Sequence, residues 1–355
     1  MSEVRKPLSK IDDYPAYLES CWQEHLLPRS DNAPTVISLF AGCGGSSLGY
    51  SMAGFRELLA VEWDDNAVET FKLNFTDIPV YHGDIHDCSV DWILETTGLK
   101  SGELDILDGS PPCQGFSTAG KRHITDSRNQ LYGEYVRILR GLQPKVFVME
   151  NVSGMIKGKM KLIFADIMRE LKASGYNVSA RLLNAMYFGV PQSRERMIFI
   201  GIRNDLNIKP NYPFGIIKPI SIIEAWINLA NIIMPPPLTK FILPWVGKMK
   251  FGESMNDVGY SKGGFQTVRI YPDRPAPVQT KIIGGIGFGS SIHPYEDRVL
   301  SIPELKRISS FPDSFIFTGG YKLERARIGN SVPPLFMRSI AKHIRQEILD
   351  RIPCS

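Results

Sequence analysis

The 355-residue chain predicts an open α/β fold of Rossmann-like type. Three observations carry that expectation. Short apolar, β-branched runs alternate with helical stretches; the first run breaks into a glycine turn; and an acidic residue, Glu62, ends the next run, twenty positions after Gly42. A further buried run, Leu104-Asp105-Ile106-Leu107-Asp108, leads into Gly109-Ser110-Pro111-Pro112-Cys113-Gln114-Gly115-Phe116-Ser117. Each proline there fixes its own φ, so the thiol of Cys113 is expected at the carboxyl end of a strand, where open α/β sheets bind their ligands. On this stretch alone, Cys113 reads equally as a nucleophile or as a small apolar filler.

Composition sets the bounds. At 43% apolar content the chain can bury a large core, and its length suits one large domain with an insertion, or two domains. The net charge of +4, from 41 basic and 37 acidic residues, permits a polyanionic partner without demanding one. No apolar run approaches the roughly 20 residues a bilayer requires, and the first six residues precede no signal-peptide core, so a cytoplasmic location without membrane contact is expected. The five scattered cysteines suit reduced thiols. His82, His86 and Cys88 form at most a partial metal set, and no metal is expected.

In chain order, residues 1–33 place Tyr14, Tyr17, Leu18, Trp22, Leu26 and Leu27 at helical spacing before Pro28, predicting a short amphipathic helix. Residues 35–40 predict a central strand that opens into Ala41-Gly42-Cys43-Gly44-Gly45 and then a helix, a turn that lets backbone N–H groups approach a ligand. The strand at 57–61 delivers Glu62, which can accept ribose hydroxyls, and Trp63, which offers an aromatic face to a purine. A third strand, 80–82, leads to Asp84 and Ile85, and the Asp84 carboxylate can take an exocyclic amine. Taken singly, Glu62 or Asp84 could cap a helix and Trp63 could be core; as a series they point to an adenosine. A nicotinamide dinucleotide and S-adenosylmethionine both fit. The pyrophosphate fingerprint G-x-G-x-x-G finds Ser47 where it requires glycine, which favours a cofactor without phosphates.

Beyond Cys113, residues 118–128 include Lys121 and Arg122 and read as a loop able to close over an anionic group, though a solvated surface loop would look the same. A helix over 131–142 precedes a buried strand, 145–149, that ends in Glu150-Asn151-Val152. A hairpin of 181–183 with 197–202 is expected to present Arg194 and Arg196 on one strand face, suited to a phosphate or carbonyl.

With Pro112-Cys113-Gln114, Glu150-Asn151-Val152, Gln192-x-Arg194-x-Arg196, Phe40-Ala41-Gly42-x-Gly44-Gly45 and the late Arg327-Ile328-Gly329-Asn330-Ser331-Val332-Pro333-Pro334 in hand, the chain resembles the DNA cytosine-5 methyltransferases. The resemblance spans nearly everything after Thr35. It implies a class I S-adenosylmethionine-dependent methyltransferase, a Rossmann-like mixed sheet with helices on both faces plus a small inserted target-recognition domain. It also implies a target cytosine flipped out of double-stranded DNA.

By this resemblance Cys113 adds to carbon 6 of the base, Glu150 hydrogen-bonds or protonates N3, and Arg196 with Arg194 holds the base carbonyl or its phosphate. Gln114 and Ser117 would steady the extrahelical nucleotide, Asn151 would order the cysteine turn, and Lys121 and Arg122 would meet the DNA. Phe40, Glu62, Trp63, Asp84 and Ile85 match cofactor positions, with Gly42, Gly44 and Gly45 forming the turn and Leu131, Asn330 and Ser331 completing the set.

The organisation expected is an N-terminal helical extension, 1–33; a catalytic and cofactor-binding domain, 34–202; a target-recognition region, 203–273; and a return segment, 274–355. The glycines at 284–289 read as a connection at the DNA face rather than a second nucleotide site. A monomer is expected, with a cognate restriction endonuclease as a possible companion. Two alternatives stand beside this reading. One branch of the family methylates transfer RNA, but the dissimilar insertion at 203–273 favours duplex DNA. A silent relative that only binds would be expected to lack Cys113 or Glu150, and both are present.

Overall fold

The computed structural model describes residues 8–112, 127–156, 160–230, 232–260, 267–281 and 289–352. The chain divides into two compact units. The larger comprises Glu24–Leu183, Glu195–Phe214 and Met337 onward; the smaller takes the chain up to Gln23, Asn184–Arg194 and Gly215–Phe336.

The larger unit is built on a seven-stranded sheet. In chain order its strands are β1 (Thr35–Leu39), β2 (Arg56–Glu62), β3 (Val80–His82), β4 (Ile106–Gly109), β5 (Val146–Val152), β6 (Tyr176–Asn184) and, after the two-residue β7 (Gln192–Ser193), β8 (Glu195–Arg203). Spatially they run β3-β2-β1-β4-β5-β8-β6. β1 pairs in parallel with β2 and β4, β4 with β5 and β2 with β3, while β8 runs antiparallel to β5. The sheet is therefore mixed. Every residue of β1 is buried, as expected of a parallel strand covered on both faces, and Val36, Ile37 and Leu39 supply the bulk.

The helices follow from their caps and spacing. After α1 (Tyr14–Leu26), α2 (Gly45–Met52) opens directly from the glycine turn. Asp64 accepts Ala67 N to start α3 (Asp65–Asn74), and Ser89 accepts Trp92 N to start α4 (Val90–Thr97), which Gly98 ends in a left-handed conformation. α5 (Ser127–Leu142) and α6 (Met160–Ala173) complete the cover of β4 and β5. Tyr135, Ile138, Leu139, Phe147, Met149 and Leu171 meet in one core cluster, each essentially without exposure.

Besides most of α1, the described residues of the smaller unit form mainly short elements: α7 (Ile222–Ala225), α8 (Leu243–Val246), β9 (Val268–Arg269), β10 (Ala276–Pro277), β11 (Ser291–Ile292), α9 (Ile302–Ile308) and the longer α10 (Gly320–Asn330), before α11 (Pro334–Glu347). β7 pairs with β10, and β9 with β11. Its separate core gathers Leu238, Ile242, Val246, Met249 and Met255 with Ile292 and Val299. Arg269 holds the surrounding loops together by donating to the carbonyls of Met249, Val246, His293, Pro294 and Glu296. Backbone geometry in this region is thus set by a side chain in place of a continuous ladder.

The N-terminal helix forms as expected, with Tyr14, Leu18, Cys21 and Trp22 buried, but Leu26 and Leu27 are exposed. No helix among the described residues is long and apolar enough to cross a membrane.

Candidate active site

The glycine turn between β1 and α2 is shaped by three left-handed residues, Phe40 (φ 56°), Gly42 (φ 58°) and Gly44 (φ 92°). Such conformations in a non-glycine residue store strain and concentrate at functional sites. Gly44 is irreplaceable on two counts, since a Cβ there would lie 2.3 Å from Phe75 Cε2 and its φ disfavours side chains. Gly44→Ala is expected to cost about 2–4 kcal/mol and lower the melting temperature by roughly 5–10 °C, which differential scanning calorimetry would read. Gly45 starts α2 and is buried.

Glu62, 8% exposed at the end of β2, locks this turn. Its Oε2 accepts Gly42 N at 2.7 Å and its Oε1 accepts Trp63 N and Asp64 N, each at 2.9 Å. Three of the carboxylate's roughly four acceptor sites are taken, which leaves about one for a ligand hydroxyl instead of room for both. Trp63 is 74% exposed and presents its indole to solvent, so it is not a core residue. Asp84 Oδ1 accepts the His86 amide N–H and pairs with the ring Nδ1, and the His86 amide first, then its ring, hold this carboxyl below its usual range.

Ile85 and Leu131 belong to the apolar layer beside these groups, Ile85 buried and Leu131 packed against the core cluster. Arg137 fixes the backbone there by donating to Ile85 O and Cys88 O, a role its place in α5 did not announce. His82 pairs with Asp65, His86 with Asp84, and Cys88 is buried. Among the described residues no group of three or more His, Cys, Asp or Glu could hold a metal ion.

Two strands away, β4 ends at Gly109 and the chain continues through Ser110, Pro111 and Pro112. Gly109 lies against the Tyr135 ring, where an added Cβ would sit 2.7 Å from Tyr135 Cε2. Asn151 Nδ2 donates to Pro111 O at 3.2 Å, tying this exit to the end of β5. Glu150, one residue earlier, pairs with Arg196 at 2.6 Å between Oε1 and Nε, and the two side chains are only 11% and 13% exposed. The register explains the contact. Val152 faces Arg196 across the antiparallel β5–β8 pair, so Glu150 is a diagonal neighbour on the same face.

Arg194 does not join them. The strand breaks between β7 and β8 at this residue, and the buried guanidinium turns to the carbonyls of Gln279, Gly329 and Ser331 in the smaller unit, to which Arg194 itself belongs. The expectation that Arg194 and Arg196 share a face is corrected accordingly: Arg194 fastens backbone, while Arg196 meets a carboxylate. Asn330 closes α10, and the Ser331 hydroxyl donates to Arg327 O at 2.7 Å. Cys113, Gln114, Ser117, Lys121 and Arg122 lie outside the described residues, as do the glycines at 284–288.

One group near the strand exit went unnoticed in the sequence. Asp108, 2% exposed, accepts the Tyr50 hydroxyl at 3.1 Å. Burial pushes its carboxyl up to about 7, a shift that the hydrogen bonds from Tyr50 and Ser46 oppose and the charge of Glu150 reinforces. Nearby Glu57 accepts the Ser47 hydroxyl at 2.9 Å, and burial pushes it up to about 8. Raised carboxyls act on stability in the opposite sense to ion-paired ones: the unfolded state loses its proton first, so stability falls as pH rises from 3.8 to about 7 for Asp108 and is level above.

Comparison with known proteins gives a consistent result. The family model described as C-5 cytosine-specific DNA methylase matches residues 34–232 and 245–346. The type II methyltransferase M1.HphI of Haemophilus parahaemolyticus is 34% identical over 329 residues, covering 87% of this chain and 86% of the relative. M.FnuDI of Fusobacterium nucleatum, also a type II methyltransferase, is 34% identical over 349 residues, covering 89% and 95%. Among solved structures, a prophage-encoded E. coli protein described as a DNA modification methyltransferase superposes with a TM-score of 0.75 at 26% identity, covering 90% of this chain and all of that one.

Proposed function

This chain belongs to the C-5 cytosine-specific DNA methylases, and from that premise we propose that it methylates carbon 5 of a cytosine flipped from double-stranded DNA, within a short specific sequence. The observation that carries the reading is the Glu150–Arg196 pair, set beside the strand exit that Asn151 holds at Pro111, two residues before Cys113.

S-adenosylmethionine fits the residues at the first three strand ends. The strained glycine turn brings backbone close to a ligand, Glu62 keeps an acceptor for a ribose hydroxyl, Trp63 offers an exposed face for the adenine, and Asp84 keeps a carboxylate oxygen for its amine. When bound, it supplies the methyl group. Carbon 5 of cytosine is a weak nucleophile, so the Cys113 thiolate adds to carbon 6 and the ring becomes an enamine. As negative charge builds at N3, Glu150 donates a hydrogen bond or its proton there and takes that proton back when the thiolate leaves, and Arg196, partnered to it, can hold the adjacent carbonyl oxygen. After carbon 5 gains its methyl group, a base or water takes the carbon 5 proton and the Cys113–carbon 6 bond breaks, restoring the aromatic ring and the thiolate.

Residues 34–202 with the return segment 274–355 form the catalytic domain in this reading. Recognition falls to 203–273, whose small core includes Ile292 and Val299 of the return segment. The protein acts in the cytoplasm as a monomer, with a cognate restriction endonuclease as the companion that the type II relatives suggest. Gln114, Ser117, Lys121 and Arg122 are the DNA-side contacts, and Asn330 and Ser331 complete the cofactor set.

Glu62→Gln turns an amide N–H₂ toward the backbone donors of the glycine turn, and calorimetric titration is expected to show cofactor affinity reduced by about tenfold or more. Substrate class is tested by offering duplex DNA and transfer RNA separately with methyl-labelled cofactor, followed by nucleoside analysis. Label in 5-methyldeoxycytidine is expected; label in transfer RNA alone would transfer the reading to the RNA-modifying branch.

A further inference from the structure

We propose that His86 is a positioning residue for the methyl donor: it pins one oxygen of Asp84 and leaves the other for the exocyclic amine of adenine, and so sets how strongly the site selects adenine over purines without that amine. The inference rests on the S-adenosylmethionine reading above and assigns a residue which that reading leaves out. Asp84 stands two residues beyond the end of β3, in a turn closed by Asp87 N donating to Asp84 O at 3.1 Å. Gly83 N donates to Glu62 O, and Glu62 faces His82 across the parallel β2–β3 pair, so the turn is fixed beside the end of β2. Packing gives the Asp84 carboxylate no direction. Its side chain is 60% exposed, and the terminal torsion of an aspartate has no sharp preference of its own.

His86 supplies two holds, and both fall on the same oxygen. Its amide N–H meets Asp84 Oδ1 at 3.0 Å, and its ring Nδ1 meets that atom at 2.6 Å. A carboxylate only accepts, so the ring proton of this contact is on Nδ1 and the ring donates. Oδ2 meets no donor among the described residues. The two contacts hold the carboxyl below its usual range, which keeps Asp84 ionised and Oδ2 an acceptor at neutral pH. The amide contact is the common turn of an aspartate onto the residue two further on, and any side chain at 86 would keep it. The ring contact belongs to histidine. Without it the carboxylate is held by one donor in place of two, and the cost of fixing Oδ2 toward the amine falls on ligand binding.

The test is calorimetric titration with S-adenosylhomocysteine, the demethylated donor, and with its analogue carrying hydrogen in place of the 6-amino group, for wild type, His86→Ala, His86→Asn and His82→Ala. Wild type is expected to bind the amine-bearing ligand about tenfold more tightly than the analogue. In His86→Ala that ratio is expected to fall to about threefold, through weaker binding of the amine-bearing ligand alone. His86→Asn places an amide N–H near the position of Nδ1 and should return the ratio to within about twofold of wild type. His82→Ala breaks the other histidine–aspartate pair of this edge, His82 with Asp65 at 2.9 Å, and should leave the ratio unchanged.

A residue that only stabilised the turn would weaken both ligands alike. An unchanged ratio in His86→Ala therefore overturns the role, as does a ratio lost equally in His82→Ala or not restored by His86→Asn. Equal binding of the two ligands by wild type overturns it as well, since there is then no amine contact to orient, while the cofactor reading stands. Failure of wild type to bind S-adenosylhomocysteine at all would instead refute the cofactor reading beneath it.

Discussion

Cys113→Ala is expected to abolish methyl transfer, by on the order of 10³-fold or more, while cofactor affinity stays within about twofold of wild type. The separation follows from where the groups stand. Most of the proposed cofactor residues sit at the ends of β1, β2 and β3, whereas Cys113 follows the exit of β4, where Tyr135 packs on Gly109 and Asn151 donates to Pro111 O. Alanine removes the thiolate that makes carbon 5 reactive and leaves the prolines that stiffen the approach. Rapid-quench methyl transfer and calorimetric cofactor titration on the same preparation check the two halves. Retained methylation would eliminate covalent addition by this residue.

Glu150→Gln is the second large effect, a fall of about 10²–10⁴-fold in single-turnover rate at saturating DNA. Two losses combine. The proposed proton or hydrogen-bond donor to N3 is gone, and Arg196, only 13% exposed, is left facing an amide where it had an ion-pair partner at 2.6 Å. In the proposed reading the pair with Glu150 orients Arg196 toward the base carbonyl, so DNA affinity should weaken as well. A wild-type rate for Glu150→Gln would contradict charge stabilisation by this group.

How much of this was legible in the sequence depended on whether the signal was local. The glycine turn, Glu62 at the end of β2 and the Pro-Pro-Cys run are each encoded within a few residues, and the strands at 35–39, 56–62 and 80–82 fall where the short runs at 35–40, 57–61 and 80–82 put them. The alternation of strand and helix was enough to expect the sheet. Arg194 and Arg196 show the opposite case. Two positions apart on paper, they separate because the strand breaks at Arg194, and the carbonyls that capture its guanidinium lie 85 to 137 residues away in sequence.

Asp108 was hidden for a similar reason. In the run Leu104-Asp105-Ile106-Leu107-Asp108 it resembles any polar residue at a strand end, and only the fold brings Tyr50, 58 residues earlier, to its carboxyl. The core of the smaller unit also joins Ile242 to Ile292 across a stretch with no continuous periodicity. Where short elements are held by a single arginine such as Arg269, hydrophobic patterning has little to report.

The central claim is tested most directly by bisulfite sequencing of mixed-sequence plasmid DNA after incubation with the purified protein and S-adenosylmethionine, with Cys113→Ala run in parallel. Protected cytosines confined to one short sequence context, and absent from the Cys113→Ala reaction, are the expected result. Complete conversion of every cytosine by bisulfite, in samples where wild type demonstrably binds the cofactor, would contradict it.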